Sequence, residues 1–346
     1  MTTHREPAGT FGAPGRMTTR RPRGGLTERL DAFQRRHPAA AFPLAVVYKY
    51  FDDFGPYLAA LLTYYAFVSL FPLLLLLSTV LGYALDGDPH LQHEIVRSAL
   101  GQFPVIGDQL HDPRRLGGGA AGLTIGLVGA IYGALGIAQA VQYAMNTAWA
   151  VPRNDRPNPF GSRGRSLLLV GILGIALLGT TAMSAVTTAG VGHHGGPLRV
   201  LALLASVLIN ATVFMVAFRV GTTRELGFRD VAPGALTAAV AWQLLQLFGV
   251  PYVTSVIRHS SATNGVFALV IGLLAFLYLA AVAVVISVEI NVVRVDRLYP
   301  RALLTPFTDN VRLTRSDRRA YRKQAQAQRA KGFEEISVRF DQRSDE

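Results

Sequence analysis

Six stretches of the chain contain no Asp, Glu, Lys or Arg and are apolar almost throughout: 58–85, 117–151, 166–192, 200–218, 231–257 and 261–288. A bilayer core takes about 20 apolar residues per helix, so each stretch predicts a membrane-spanning helix. The second is long enough to tilt strongly or to run into the interface. The pattern between the first two spans differs. There Leu91, Ile95, Leu100, Phe103 and Ile106 alternate with polar residues and the run breaks at Pro104. This predicts two short amphipathic helices on the outer surface. The aromatic region 42–54, which carries Lys49 and ends in Asp52-Asp53-Phe54-Gly55-Pro56, predicts an interfacial helix feeding the first span.

The basic residues orient the bundle. Of the 34 Lys and Arg, 29 lie in the two tails and the connections 152–165 and 219–230, and 5 lie in the alternate connections. The positive-inside rule therefore puts both termini in the cytoplasm. The expected fold class is all-α: a polytopic membrane helix bundle with six transmembrane helices, N-in and C-in. The expected organisation is an Arg-rich disordered tail over 1–40, a six-helix membrane domain over 41–300 and a basic tail over 301–346. Both outer tails are polar and poor in aromatics, which favours disorder.

Composition supports the bundle: 50% of residues are hydrophobic and 16% charged. The net charge of +12 raises the question of nucleic acid, but the excess flanks apolar segments, and the membrane accounts for it. Nucleic acid is not an expected partner; membrane lipids are. The absence of cysteine excludes disulfides, thiolate catalysis and Cys-ligated metal. Residues 1–40 hold no apolar core segment, so no cleavable signal peptide is expected.

The first span reads Gly55-Pro-Tyr-Leu-Ala-Ala-Leu-Leu-Thr-Tyr-Tyr-Ala-Phe-Val-Ser-Leu-Phe-Pro-Leu-Leu. The second ends Asn146-Thr-Ala-Trp149, Arg156-Pro-Asn-Pro-Phe160 follows, Pro233-Gly234-Ala235 opens the fifth, and the sixth closes Glu289-Ile290-Asn291. Over about residues 40–300 this order resembles the YihY/BrkB family of membrane proteins. One departure stands before the last span, where Thr263-Asn264-Gly265 replaces the family's aromatic-Gly step. The resemblance implies a six-helix protein of the bacterial inner membrane, with envelope-lipid export suggested for some members. It also brings an old ribonuclease BN label. Phosphodiester hydrolysis usually needs clustered carboxylates or histidines around metal ions, and the loops predicted cytoplasmic offer only Asp155, Glu225 and Asp230 among arginines. The chain is therefore read as non-enzymatic, without cofactor or metal; His90, His93 and Glu94 match neither helical zinc motif.

Polar groups in apolar spans carry the candidate chemistry. Gln142 and Asn146 lie one turn apart in the second span, Asn210 in the fourth, Gln243 in the fifth and Asn291 at the end of the sixth. They either bond between helices or line a polar path. Glu289 is either an interfacial carboxylate paired with Arg294 or Arg297, or a coupling carboxylate. Pro72 frees the carbonyl of Val68, with Ser69 nearby to satisfy it. The resulting kink serves as a hinge or as fixed shape, and Tyr65 lines a cavity or packs. Gly122, Gly126, Gly129, Gly133 and Gly136 suit close internal packing, with a homo-oligomer seam as the minor alternative. The leading function is a transporter or translocation factor for a lipid or other envelope component. A non-transporting scaffold that docks partners through its tails is the alternative.

Overall fold

The computed structural model describes residues 26–84, 119–158, 160–172, 196–249, 262–305 and 311–340, and all regular structure among them is helical. The helices are α1 Leu26–Arg36, α2 Pro38–Asp52, α3 Gly55–Ala84, α4 Gly119–Ala148, α5 over 160–172, α6 Gly196–Val220, α7 Phe228–Leu244, α8 Ala262–Asp296 and α9 Arg315–Gln326. A π turn, Leu245–Gly249, extends α7. Among the described residues, four helical stretches are long and apolar enough to cross a membrane: Leu127–Ala148, Leu203–Val220, Phe228–Gly249 and Val270–Asp296. The 30-residue α3 covers the first expected span. The third expected span is described only as far as residue 172, and the expected outer helices lie outside the described residues.

Small residues set how the helices meet. A Cβ on Gly133 would overlap Ser69, and one on Gly136 would come within 2.7 Å of the Tyr65 ring, so the α3–α4 pair packs backbone to backbone there. Ala59, Ala140, Ala144 and Ala281 continue the seam to α8. Large apolar side chains such as Val128, Leu204, Leu208 and Ile271 instead face outward, as expected of helices whose solvent is lipid.

The densest core lies at one end of the bundle. Ala45 and Val46 of α2, Met145, Ala148 and Trp149 at the end of α4, Phe218 of α6, Val231 and Ala235 of α7, and Val288 and Val292 of α8 pack together, with Ala320 of α9. Helices α4 and α8 stop here in the same way. Ala150 and Arg297 take left-handed φ values of 50° and 53°. Val151 N then donates to Asn146 O (2.8 Å) and Leu298 N to Val293 O (3.0 Å), closing the last turn of each helix. Left-handed backbone without glycine costs about 1–2 kcal/mol per residue, which the surrounding packing must offset.

The expectation of disordered tails fails for 26–40 and 311–340. Thr314 caps α9 and accepts from Asp317 N at 3.0 Å, while Asp317 Oδ2 accepts from Thr314 N at 2.8 Å. Asp317 also receives the Arg301 guanidinium at 2.6 Å, and Arg301 reaches Asp52 of α2 at 2.8 Å. On the α1 side, Asp31 accepts from Leu303 N at 3.1 Å. The disorder expectation weighed polarity alone; here the charges are satisfied by one another and by the end of the bundle.

Candidate functional site

The groups of greatest interest lie where α2, α4 and α8 end together. Lys49, in the last turn of α2, donates to the carbonyl of Ala148 at 3.0 Å. That carbonyl belongs to the last residue of α4, where helical acceptors lack an internal partner. The same ammonium pairs with Asp53 and stands 3.7 Å from a Glu289 oxygen. Two helix C-termini, each with partial negative charge, thus add to two carboxyl groups in holding the cation. The side chain of Glu289 is 0% exposed, and neither of its oxygens has a hydrogen-bond donor among the described residues.

One ammonium therefore faces two buried carboxyl groups. Burial disfavours the charge on Lys49, but Glu289 and Asp53 outweigh it and hold the amine above the ordinary lysine range. Burial pushes the Asp53 carboxyl above the usual aspartate range, against the pull of Lys49. A cavity of about 10 Å³, room for one water, adjoins the cluster between Lys49, Asp52, Asp53, Asp296, Lys323 and Gln324.

A second layer of charge closes over that cavity. Asp296 binds Arg224 through two contacts of 2.9 and 3.2 Å and Lys323 of α9 at 2.7 Å. Arg224 stacks over Trp149 at 4.7 Å, and Gln324 donates to Asp52 O at 2.7 Å. Arg301 is fully buried between Asp52, Asp317 and the rings of Tyr48 and Tyr321. Burial opposes its charge, yet Asp52 and Asp317 hold its pKa above the usual arginine value.

Asn291 takes a different part. Its Oδ1 accepts from Gly234 N at 2.8 Å and its Nδ2 donates to Val231 O at 3.1 Å. Both groups belong to the first turns of α7, where Pro233 supplies no N–H to the carbonyl of Arg229. Arg294, one turn beyond Asn291, donates to that carbonyl. The contact demands glycine: a Cβ on Gly234 would overlap the Ser287 carbonyl oxygen and lie 2.7 Å from Asn291 Cγ. Pro233-Gly234 and Asn291, separate motifs in the sequence, are thus one joint between α7 and α8.

The chain belongs to the virulence factor BrkB family. The family model matches residues 46–308, which run from α2 through the cluster to just beyond Arg301. No curated protein and no solved structure matches the chain. This BrkB-family chain is accordingly an integral membrane protein built from apolar helices.

The other sequence-predicted residues of this BrkB protein divide into groups. Gln142 donates to Ser166 Oγ at 2.8 Å and Ser162 O at 3.1 Å, fastening α5 to α4. Asn146 Oδ1 accepts from Thr222 Oγ1 and Thr223 N, each at 3.1 Å, and so holds the α6–α7 connection. With Tyr65 and Arg156 these two amides also line a cleft of about 340 Å³. Tyr65 both packs on Gly136 and borders that cleft. Ser69 does not serve the carbonyl freed by Pro72, because its hydroxyl donates to Ala66 O at 3.0 Å. Pro72 lies within the continuous α3. Asn210 and Gln243 are half-buried on α6 and α7 and line neither the cavity nor the cleft.

The expected pairing of Glu289 with Arg294 or Arg297 is corrected. Arg294 serves the Arg229 carbonyl, Arg297 turns into the left-handed cap of α8, and the cation beside Glu289 is Lys49. Sequence reasoning missed Lys49 as a partner. A lysine in an otherwise apolar and aromatic helix, followed one turn later by Asp53, was the available signal.

Proposed function

We propose that this protein is a six-span transporter or translocation factor of the bacterial inner membrane, with both termini cytoplasmic, acting on a lipid or other envelope component. The Lys49–Asp53–Glu289 cluster is its coupling centre. The carrying observation is the charge imbalance of that cluster: one ammonium beside two buried carboxyl groups, with Glu289 held only by the longer ion pair to Lys49. Ionisable groups buried in a membrane bundle are costly and mark ion or substrate pathways by default. A single proton held between Asp53 and Glu289 balances the cluster, and its departure leaves a buried negative charge that favours another packing of α2 against α8. Asp52, Asp296, Arg224, Arg301 and Lys323 surround the centre and set the field in which that proton moves.

The scaffold alternative draws less support. The basic residues Arg319, Lys323 and Arg329 of the C-terminal segment bind Asp296 and Asp155 of the same chain, so part of that segment's positive charge is already met within the chain. Asp317 of the same segment pairs with the buried Arg301, so deleting the segment would unseat Arg301 rather than test docking of a partner.

The experiment is translocation of fluorescent lipids of several classes in proteoliposomes, with wild type, Glu289→Gln and empty vesicles. Faster translocation with wild type than with empty vesicles, lost in folded Glu289→Gln, is expected. Equal rates with folded wild type and empty vesicles for every class would favour the scaffold.

A further inference from the structure

A groove separate from the charge cluster opens where α6 ends and α7 begins. It has a volume of about 690 Å³, and its lining includes Arg165, Arg219, Glu225, Val216, Val220 and Phe228. Its two outer arginines are anchored in complementary ways. Arg165 donates one terminal nitrogen to Thr222 O at 2.9 Å, and Arg219 donates Nε to Leu226 O at 2.8 Å while lying 4.0 Å over the Phe228 ring. A guanidinium carries five N–H donors, so each retains N–H groups with no partner among the described residues. Those forks are fixed by backbone contacts before any ligand arrives. Arg224 also lines the groove, but its charge is met by Asp296.

We infer that this groove binds the phosphate of an anionic phospholipid of the cytoplasmic leaflet, through Arg165 and Arg219, with Val216, Val220 and Phe228 against the upper part of its acyl chains. Three features select this ligand. Paired arginine forks match phosphate geometry better than they match a monovalent point anion. The groove sits where two membrane-crossing stretches stop, at Val220 and Phe228, which is the depth of headgroups. Val216, Val220 and Phe228 form an apolar wall beside the arginines, a surface that a soluble phosphate would leave uncovered. The volume also lies within the range of small-molecule sites and exceeds what an inorganic ion fills. Glu225 is the opposing charge on the rim, and it limits the affinity. The inference rests on the cytoplasmic placement of the α6–α7 connection and not on transport, so the site stands whether or not the protein moves its lipid.

The test uses the purified full chain in neutral detergent, titrated with dihexanoyl phosphatidylglycerol, dihexanoyl phosphatidylcholine and inorganic phosphate. Native mass spectrometry counts bound lipid. Fluorescence of Trp149, which stacks under Arg224, reports occupancy in a Trp242→Phe background. Expected are one tightly held phosphatidylglycerol, binding weakened about tenfold or more in Arg165→Gln/Arg219→Gln, and no change in the exposed Arg339→Gln. Because removal of two anchors can disturb folding, Glu225→Gln supplies an independent arm: with the opposing charge gone, phosphatidylglycerol binds several-fold more tightly. Equal binding of phosphatidylcholine, displacement of the lipid by millimolar phosphate, or no tightening in Glu225→Gln would overturn the inference.

Discussion

Replacing Lys49 by methionine removes the one cation at the cluster and leaves Asp53 and Glu289 buried together. Breaking a buried ion pair by deleting one partner typically costs about 3–5 kcal/mol. The Ala148 carbonyl also loses its donor, adding about 1–3 kcal/mol where that acceptor stays buried. Partial protonation of the carboxyl groups relieves some of this, so a loss of about 3–5 kcal/mol is expected near neutral pH. Glu289→Gln acts oppositely on the charge balance. It leaves Lys49 with Asp53 as a neutral pair and keeps the side-chain volume, so its expected effect lies within about 1 kcal/mol of wild type. The double variant should recover part of the Lys49→Met loss, because Glu289 then no longer adds a like charge beside the surviving Asp53 carboxyl group. The three variants and wild type form a cycle measurable by reversible denaturation of the detergent-solubilised protein, with a predicted coupling above about 1 kcal/mol. Glu289→Gln as destabilising as Lys49→Met, or strictly additive effects, would refute the charge argument.

Other consequences are more local. Gly234→Ala forces α7 from the Ser287 carbonyl and breaks the Asn291 contacts, so thermal unfolding should show a loss of about 2–4 kcal/mol from overpacking and lost hydrogen bonds; Gly171→Ala, with open space around it, should be neutral or stabilising. Arg301→Lys keeps the charge but not the fork that spans Asp52 and Asp317, and limited proteolysis should then cut near α9 at least several-fold faster. Asp53 holds its proton above the ordinary aspartate value of 3.8. Its contribution is therefore present below that value and lost as pH rises through the folded-state value; Asp53→Asn should flatten this part of the stability profile.

Much of the fold was legible because uncharged apolar runs leave few alternatives. The start of α3 and the end of α4 follow them, and Gly133 and Gly136 mark the close approach that small residues permit. The site was only partly legible. Glu289 announced itself as a carboxylate at the end of an apolar run, but its natural sequence neighbours are Arg294 and Arg297. The helix geometry turns one toward α7 and uses the other as a cap, while the α2–α3 turn brings in Lys49 and Asp53. Asn291 was visible as an intramembrane amide, yet its task depends on Pro233 and Gly234, which only the packing of α7 on α8 places beneath it. The C-terminal segment misled because its polarity indicates disorder when counted residue by residue. Thr314 and Asp317, at capping-box spacing, already signalled the start of α9.

The most direct test of the proposed coupling centre is translocation of a labelled anionic lipid in proteoliposomes with and without an imposed pH gradient. Wild type should respond to the gradient, and Glu289→Gln, folded and of near-native stability, should not. A Glu289→Gln protein with the rate and gradient dependence of wild type would contradict a role for this buried carboxyl group in coupling.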